Sequence, residues 1–431
     1  MNLINGKQLS QQECDAMLDQ LDQMILHTLS KEPLDPHIVV AACDQFLKEL
    51  DETAYLQTMQ ELGIPEALGK QYIEEARQQF SAQRLHERLV LELGTLYKQP
   101  QQEIPHGKPF AVAKKLCPLG VLFHIAAGNA DALPAFSILE GLLTGNINLL
   151  KLPSQEGGFT VQILQELIHI EPRLAEYIYV FDYSSKDIMH MNQLIALSDA
   201  VIVWGSADAV SSLRKLVPAH IKIIEWGHKV SFAYVTKQGI AQYGLEGLAR
   251  NIAKTGQLLC SSIQGVFLDT ESMEEVHTFC DQFLPILEQA IAAFPQNIEL
   301  STQYQIALSV YQQELEAVFQ NSKVFKGKDC SIIAYADRVL DTAIQHGNAW
   351  VRALPSSELL PILRPYKNFL QTVGILCGEQ EYENIAQQLL KTGVVRICPP
   401  QYMSETYFGA PHDGEYTLRR YMKIATTEQE Q

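Results

Sequence analysis

The stretch at residues 200–226, AVIVWGSADAVSSLRKLVPAHIKIIEW, decides the fold class. Its pattern predicts an apolar strand at 200–204, a turn at Gly205 and Ser206, a helix at 207–217 and a second strand at 220–225. Two strands that are joined by a helix of this length lie parallel in one sheet, with a right-handed crossover between them. The stretch therefore predicts a parallel sheet of the α/β class.

The same alternation continues on both sides of this stretch. Strands are predicted at 119–125, 147–152, 177–181 and 231–235, with helices at 133–144 and 160–169 between them. A second α/β region begins near residue 240, with predicted helices at 245–254 and 273–293 and strands at 266–268, 371–376 and 394–397. Between 297 and 371 the pattern is harder to interpret. The chain is thus predicted to contain two α/β regions.

The first ninety or so residues are predicted to be helical. Ser10 and Glu13 fit a capping box at a helix start. Another helix is predicted to begin at Pro65, to run through Leu93 and to stop at Gly94. This region contains no motif with obvious chemistry, so we interpret it as a packing or assembly module.

The composition excludes several classes of protein. Lys and Arg number 33 and Asp and Glu 50, which gives a net charge of −17. Such a chain is repelled by phosphate backbones and anionic membranes, so we expect no nucleic-acid partner. The hydrophobic share of 47% and the charged share of 19% are typical of a globular protein with a large core. No apolar stretch is long enough to span a bilayer, and the first residues do not resemble a signal peptide, so we expect a cytoplasmic protein.

The cysteines and the short motifs exclude further chemistry. The eight cysteines are scattered, without a Cys-x-x-Cys pair, so neither a metal site nor a disulfide framework is predicted. Residues 63–71 resemble a phosphate-binding loop, but the loop is one residue too long and Gln71 stands where Ser or Thr must reach magnesium. No Gly-x-Gly-x-x-Gly follows a strand, and no Gly-x-Ser-x-Gly elbow occurs.

Polar residues stand at the ends of several predicted strands. Asn129 follows the strand at 119–125, Lys151 lies at the end of the next strand, and Gly205 and Ser206 follow the strand at 200–204. Glu225 ends the strand after that. The segment from Gly256 to Ser262 brings the thiol of Cys260 to the same set. Ligands of parallel sheets bind beyond the carboxyl ends of the strands, so we expect these residues, Cys260 included, to face one rim.

The order of these residues resembles that of the aldehyde dehydrogenase superfamily and, within it, of the LuxC-type (long-chain fatty) acyl-CoA reductases. The resemblance covers roughly residues 116–414, without the N-terminal helices. Its matching pieces are Ala127-Gly128-Asn129, the 145–151 segment ending in Lys151, Gly205-Ser206, the box from Glu225 to Lys229, Gly256 to Cys260, Cys260 to Gln264, and His412-Asp413-Gly414. Each piece alone is weak, but five core pieces in the family order are specific.

The resemblance implies three catalytic residues. Cys260 would be the nucleophile, as a thiolate. Asn129 would donate its amide N–H to the oxyanion, together with the backbone N–H of Cys260. Glu225 would be the general base. Each also has a structural interpretation, since a cysteine often packs as a small apolar residue, Asn129 could cap a helix, and Glu225 could pair with Lys229.

The resemblance also implies a nicotinamide cofactor. Lys151 would bind the adenosine ribose, and the helix start at Gly205 and Ser206 would receive the pyrophosphate. Ser154 stands where NAD-preferring relatives often carry Glu, and a hydroxyl there does not repel a 2′-phosphate. We therefore expect NADPH, with NADH as the alternative. The family's second Glu has no counterpart, and Arg364 stands at that place.

These observations predict an aldehyde dehydrogenase-like α/β fold in four parts. The expected boundaries are a helical region at 1–95, a Rossmann-like NADP(H)-binding domain at 96–238, a thiol-bearing catalytic domain at 239–405 and a C-terminal segment at 406–431. The expected reaction is NADPH-dependent reduction of a fatty acyl-CoA to the aldehyde through a thioacyl cysteine, with CoA as the leaving group.

Two alternatives remain open on the sequence. One is a hydrolytic NAD(P)-dependent aldehyde dehydrogenase acting on a fatty aldehyde, for which Glu225 would activate water. The other is a non-catalytic scaffold that binds a cofactor. We further expect a homo-oligomer, a dimer or tetramer, and an acyl-activating partner enzyme.

Overall fold

The computed structural model describes residues 1–61, 66–97, 99–126, 133–153, 158–319 and 322–430. The chain forms two compact units. Unit 1 comprises Met1–Gly227 together with Phe408–Gln431, and unit 2 comprises His228–Tyr407. This division is coarser than the four predicted segments, which stay a prediction.

In the described residues, unit 1 begins with a short hairpin and six helices. These are β1 (Asn2–Ile4), β2 (Lys7–Leu9), α1 (Gln11–Leu18), α2 (Leu21–Leu29), α3 (Pro36–Glu49), α4 (Glu52–Glu61), α5 (Glu66–Phe80) and α6 (Ala82–Leu93). The capping box of Ser10 and Glu13 is confirmed at the start of α1. The single helix predicted up to Leu93 is wrong, because Ser81 adopts an extended backbone and separates α5 from α6. Gly94, with a φ of 68°, does end α6.

The α/β part of unit 1 follows the predicted alternation. Its elements are β3 (Gln101–Glu103), β4 (Phe110–Pro118), β5 (Val121–Ile125), α7 (Leu133–Leu143), β6 (Ile147–Lys151), α8 (Phe159–Ile170), β7 (Ile178–Phe181), α9 (Ile188–Ala196), β8 (Ala200–Trp204), α10 (Ala207–Leu216) and β9 (Lys222–Trp226). The first sheet has the order β2-β1-β7-β6-β5-β8-β9, and β5 to β9 are parallel. The hairpin extends this sheet antiparallel to β7, a role that the sequence did not predict.

Unit 2 contains the second parallel sheet. Its elements are β10 (Val230–Val235), α11 (Lys237–Tyr243), α12 (Glu246–Thr255), β11 (Ile263–Leu268), α13 (Met273–Ala293), α14 (Leu300–Ala317), β12 (Lys323–Lys326), β13 (Ser331–Tyr335), β14 (Asn348–Ala353), α15 (Leu359–Leu363), β15 (Leu370–Leu376), α16 (Glu379–Thr392) and β16 (Arg396–Cys398). The order is β12-β13-β14-β11-β10-β15-β16, with β12 antiparallel. The sequence missed β12 to β14.

The end of the chain returns to unit 1 as α17 (Thr417–Arg420) and β17 (Met422–Glu430). β17 pairs antiparallel with β4 along nine residues, in a third sheet of order β17-β4-β3. A partly buried ion cluster lies nearby, in which Arg88 of α6 bonds to Glu92 at 2.6 Å and also pairs with Glu140 of α7. Glu92 in turn accepts the Leu418 amide at 2.9 Å. The cluster therefore ties two helices to the chain end.

The core of the first sheet contains a buried polar contact. His124 of β5 is fully buried, with Nδ1 2.7 Å from the Ser137 hydroxyl and Nε2 3.1 Å from the Asn148 amide oxygen. Burial lowers the pKa of His124 to about 4, and the hydrogen bond to Asn148 opposes this shift. The imidazole is therefore neutral at pH 7 and serves packing between α7 and β6.

Candidate active site

Four predicted site residues lie along the carboxyl edge of the first sheet. Lys151 is the last residue of β6, and Gly205 and Ser206 directly follow β8. Glu225 is the residue before the end of β9. Because these strands run parallel, their carboxyl ends meet at one edge of the sheet. The structure thus brings these four residues to the edge where ligands of such sheets bind.

Lys151 is a buried ammonium at this edge. The residue is 3% exposed, and burial lowers the pKa of Lys151, an effect that the charge of Asp182 partly opposes. Withdrawing an ammonium from water is costly unless oxygen atoms replace the lost solvation. Lys151 is therefore suited to bind a ligand rich in oxygen, such as the ribose and phosphate of a dinucleotide.

The start of α10 supplies a second feature that fits a dinucleotide. Ser206 is its N-cap, and the Ser206 hydroxyl accepts the Ala209 amide at 3.3 Å. The other first-turn amides of a helix have no acceptor within the helix, and with the helix dipole they attract phosphate. Residues 206–209 are exposed, and a Cβ added at Gly205 would lie 3.3 Å from the Cβ of Ala209. Asp208 in the same turn opposes this attraction with one negative charge.

Glu225 is held by an arginine of α10. Arg214 donates through Nε to one carboxylate oxygen and through Nη2 to the other at 2.7 Å. Lys229, the partner that the sequence suggests for Glu225, donates from Nζ to the Asn368 carbonyl at 3.0 Å. A bidentate pair stabilises an ionised carboxylate in a fixed orientation. The arginine therefore fixes the orientation of the Glu225 carboxylate.

An aromatic cluster that the sequence did not predict lies beside these residues. Trp204 and Trp226 end β8 and β9 and stack with ring centroids 5.4 Å apart. His412 packs on both rings, at 5.2 Å and 4.9 Å, and the Arg420 guanidinium lies 4.7 Å from the ring of Trp226. The return of the chain end thus places the His412 motif at the carboxyl edge of the first sheet.

Cys260 lies in unit 2, in the loop between α12 and β11. All eight cysteines are among the described residues, and Cys260 is the exposed one, whereas the others are buried or partly buried. Burial raises the pKa of Cys43 and Cys330 to about 12 and that of Cys377 to about 11. The interpretation of Cys14 and Cys43 as core residues is confirmed. Exposure therefore singles out Cys260 as the thiol that a substrate can reach.

Cys260 lies before a strand, whereas the other described site residues lie at the end of a strand or just after it. The expected position of Cys260 at the carboxyl rim is wrong, because Cys260 precedes β11. It therefore lies at the amino edge of the second sheet. The loop of residues 256–262 between α12 and β11 carries its side chain at this edge.

A side chain to which the sequence assigned no role contacts the thiol. Gln371, the second residue of β15, donates from Nε2 to Sγ of Cys260 at 3.3 Å. Gln371 is 7% exposed, and β15 lies between β10 and β16. A donor to sulfur favours the thiolate over the thiol. The two residues are 111 positions apart, so no local pattern could have revealed this contact.

The backbone of Cys260 is fixed by a buried hydroxyl. Ser231 of β10 donates its hydroxyl to the Cys260 carbonyl at 2.6 Å and accepts the Thr372 amide at 3.1 Å. Ser231 is fully buried. The hydroxyl therefore connects the loop to β10 and β15 together.

Side-chain amides hold the rest of this loop. Gly256 and Gln257 both have positive φ, 55° and 65°. The Gln257 side chain donates to the Ile263 carbonyl at 3.1 Å and accepts the Gly347 amide at 3.1 Å. Gln264 donates to the Gln257 carbonyl at 2.8 Å. The glycine and the two glutamines of the family-like segment thus shape the loop that presents Cys260.

Two predicted residues, Asn129 and Ser154, lie outside the described residues. Arg364, at the place of the family's second Glu, donates to the Lys391 carbonyl at 3.1 Å, near the end of α16. Within the described ranges no group of three or more His, Cys, Asp or Glu side chains could hold a metal ion. No helix in that part of the chain is both long and apolar enough to cross a bilayer.

Comparison with solved structures identifies the fold. A NAD-dependent benzaldehyde dehydrogenase from Corynebacterium glutamicum superposes with a TM-score of 0.71 over 100% of this chain and 95% of that chain, at 13% identity. The bifunctional proline utilization A protein gives a TM-score of 0.74 over 98% of this chain and 45% of that chain, at 15% identity. The predicted aldehyde dehydrogenase-like fold is confirmed.

Comparison of sequences identifies the family. A long-chain acyl-protein thioester reductase 2 from Photobacterium leiognathi is 26% identical over 75% of this chain and 67% of that protein. A long-chain acyl-protein thioester reductase from Vibrio harveyi is 24% identical over 51% of this chain and 46% of that protein, and one from Aliivibrio fischeri is 23% identical over 81% and 71%. The family model for acyl-CoA reductase (LuxC) matches residues 32–424. With an exposed cysteine, an α/β fold of the aldehyde dehydrogenase type and this match over most of its length, the chain belongs to the LuxC acyl-CoA reductase family.

Proposed function

We propose that this protein reduces a fatty acyl-CoA thioester to the aldehyde through a covalent intermediate on Cys260. The observation that carries this proposal is the environment of Cys260, which is the exposed cysteine and accepts a hydrogen bond from Gln371. A thiolate rather than a thiol is the nucleophile in such reactions, and the hydrogen bond favours the thiolate. The family description supports the acyl thioester as substrate.

The acylation step exchanges one thioester for another. The Cys260 sulfur forms a bond to the acyl carbonyl carbon, the bond from that carbon to the CoA sulfur breaks, and CoA leaves as a thiolate that takes up a proton. In the proposal, Asn129 and the Cys260 backbone amide donate to the oxyanion of the tetrahedral intermediate. Glu225 transfers protons to and from sulfur or water.

The cofactor that we propose is NADPH, with Lys151, Ser154, Gly205 and Ser206 as its binding residues. When bound, NADPH would supply a hydride to the thioacyl carbon, and the bond from that carbon to the Cys260 sulfur would break, which releases the aldehyde and returns the Cys260 thiolate. The buried ammonium of Lys151 and the exposed first turn after Ser206 support a dinucleotide at this edge. The choice of NADPH over NADH rests on the sequence, where a hydroxyl at Ser154 tolerates a 2′-phosphate.

The carrier of the acyl group is the finer part of the proposal. The family description names acyl-CoA, whereas the curated relatives are named acyl-protein thioester reductases. We propose acyl-CoA as the donor and an acyl-activating enzyme as the source of acyl groups. Saturation by free acyl-CoA supports this proposal, while reduction that occurs solely with an acylated protein contradicts it.

Intact-protein mass spectrometry without cofactor tests the covalent step. Incubation with a panel of acyl-CoA thioesters of different chain lengths should add one acyl group, and peptide mapping should place it on Cys260. The adduct should disappear in Cys260→Ala and persist in Cys398→Ala, a matched control at a partly buried cysteine. An adduct on another residue, or no adduct with any chain length, would contradict the mechanism.

A product assay separates reduction from the hydrolytic alternative. Oxidation of NADPH that depends on acyl-CoA supports the reductase, whereas reduction of NAD by a fatty aldehyde without CoA supports an aldehyde dehydrogenase. The ion pair between Glu225 and Arg214 does not separate the two reactions, because Glu225 is assigned proton transfer in both. Binding of cofactor without either activity would identify a scaffold.

A further inference from the structure

Helix α14 is held to unit 2 by few contacts. Within this fully described helix of 18 residues, Val310 alone is buried. Its inner side lies over a cavity of about 880 Å³ that the end of α13 and the β12–β13 hairpin also line. Most helices in proteins are stabilised by packing of an apolar face. α14 therefore lacks the packing that a helix of this length normally has.

The outer side of α14 carries an apolar stripe. Its members are large apolar side chains with exposed fractions between 51% and 80%: Leu300, Tyr304, Leu308, Tyr311, Leu315 and the cap residue Val318. Their spacings are four, four, three, four and three residues, so they share one face of the helix. From Tyr304 onward this is the heptad spacing by which two helices pack together.

The structure assigns this stripe to a second copy of the same chain: we propose that two α14 helices pack antiparallel about a twofold axis between Leu308 and Tyr311. In this register Tyr311 faces Leu308 of the second copy, and Tyr304 faces Leu315. A parallel pair would instead place each tyrosine opposite itself. Facing a large side chain with a smaller one gives the better fit, which favours the antiparallel pair.

The flanks of the stripe suit a copy of the same charge. The stripe has no charged residue, although each chain carries a net charge of −17. Glu314 pairs with Lys326 at 3.1 Å beside the stripe. In the antiparallel register Glu314 faces Ala307 of the second copy, so two like charges do not meet. Gln305 and Gln312 flank the other side, where amides can bond to each other.

The exposed area is sufficient for a dimer contact. A large apolar side chain presents on the order of 200 Å² when fully exposed, so the six residues offer roughly 800 Å². Stable interfaces of standard size bury about 800 Å² on each partner. The stripe can therefore supply most of a standard interface, and the same patch on both chains forms it, as a twofold contact requires.

The molar mass of the full-length protein in solution, measured by light scattering after gel filtration, tests this inference. The wild type should have an even multiple of the chain mass of 48.4 kDa. Leu308→Lys and Tyr311→Glu should each halve the molar mass. Leu390→Glu, at an exposed leucine of α16, is the matched control and should leave it unchanged. Thermal unfolding identifies any variant that fails to fold. In that case Leu315→Lys or Tyr304→Glu replaces the unfolded variant in the molar-mass measurement.

Mixing the two variants tests the register. A mixed dimer would place the lysine of Leu308→Lys opposite the glutamate of Tyr311→Glu in one layer and would keep the wild-type pair in the other, so equimolar mixing should restore the wild-type mass. A monomeric wild type, or single variants that retain the wild-type mass, would overturn the proposal. If the equimolar mixture does not regain the wild-type molar mass, the antiparallel register is overturned. Co-purification of a different protein on the stripe, lost in both variants, would assign the stripe to that protein instead.

Discussion

Replacing Gln371 by Ala removes the N–H donor that lies 3.3 Å from the Cys260 sulfur. A hydrogen bond to a charged group contributes about 1.5–3 kcal/mol. Cys260 is exposed, so water replaces part of the lost donor and the lower end of that range applies. Since about 1.36 kcal/mol corresponds to one pKa unit, we expect the apparent pKa of the Cys260 thiol to rise by about one unit.

The rate of alkylation by iodoacetamide, followed at Cys260 by mass spectrometry across a pH series, measures this change. At pH values below both apparent pKa values the thiolate population falls about tenfold, but a more basic thiolate is more nucleophilic by about threefold. The net rate should therefore fall about threefold there and rise about threefold above both values. A general loss of structure would instead also expose the buried cysteines to alkylation, which peptide mapping would detect.

Two further variants frame the interpretation. Gln371→Glu places a negative charge beside the sulfur and should raise the apparent pKa more than Gln371→Ala does. Gln387→Ala, at an exposed glutamine of α16, should behave as the wild type. An unchanged apparent pKa in folded Gln371→Ala, or a lower one in Gln371→Glu, would refute the reasoning. The measurement needs no substrate, so it is independent of the proposed reaction.

Three other predictions concern the loop, the core and the ion cluster. Ser231→Ala should slow both the alkylation and the acylation of Cys260 by several-fold, because the buried hydroxyl fixes the loop. Equal rates in the wild type and the variant would argue against this role. His124 binds a proton less readily in the folded state, with a pKa of about 4, than unfolded, so the free energy of unfolding should fall as pH drops from about 6.5 to 4, by up to about 3 kcal/mol. His124→Gln should flatten that dependence in thermal unfolding at varied pH, and an unaltered slope would contradict it. Arg88→Ala leaves two partly buried carboxylates without their cation and should cost about 3 kcal/mol in denaturant unfolding, while Arg84→Ala, in an exposed pair of the same helix, should cost less than about 1 kcal/mol. Equal losses in the two arginine variants would exclude the burial argument.

The parallel sheets were predictable because their signal is local. Strands such as β8 and β15 are short apolar runs bounded by turns or helices, and the predicted spans 200–204 and 371–376 agree with the structure to within a residue. The N-terminal hairpin was not predictable, because three-residue strands carry too little pattern. The break between α5 and α6 depends on one residue, Ser81, which an otherwise continuous helical pattern conceals.

The candidate site, like the fold, was predictable from the sequence only in part. The sequence alone predicted the fold class and the family, which are confirmed, and it proposed Lys151, Gly205, Ser206 and Cys260 as site residues, since each depends on neighbouring residues or on a motif in a fixed order. The tertiary structure decided which side chains surround them. Long-range contacts such as those of Gln371 and Ser231 with Cys260 join different strands of a sheet, and strand order and register are set by packing of the whole unit, which no local stretch of sequence specifies.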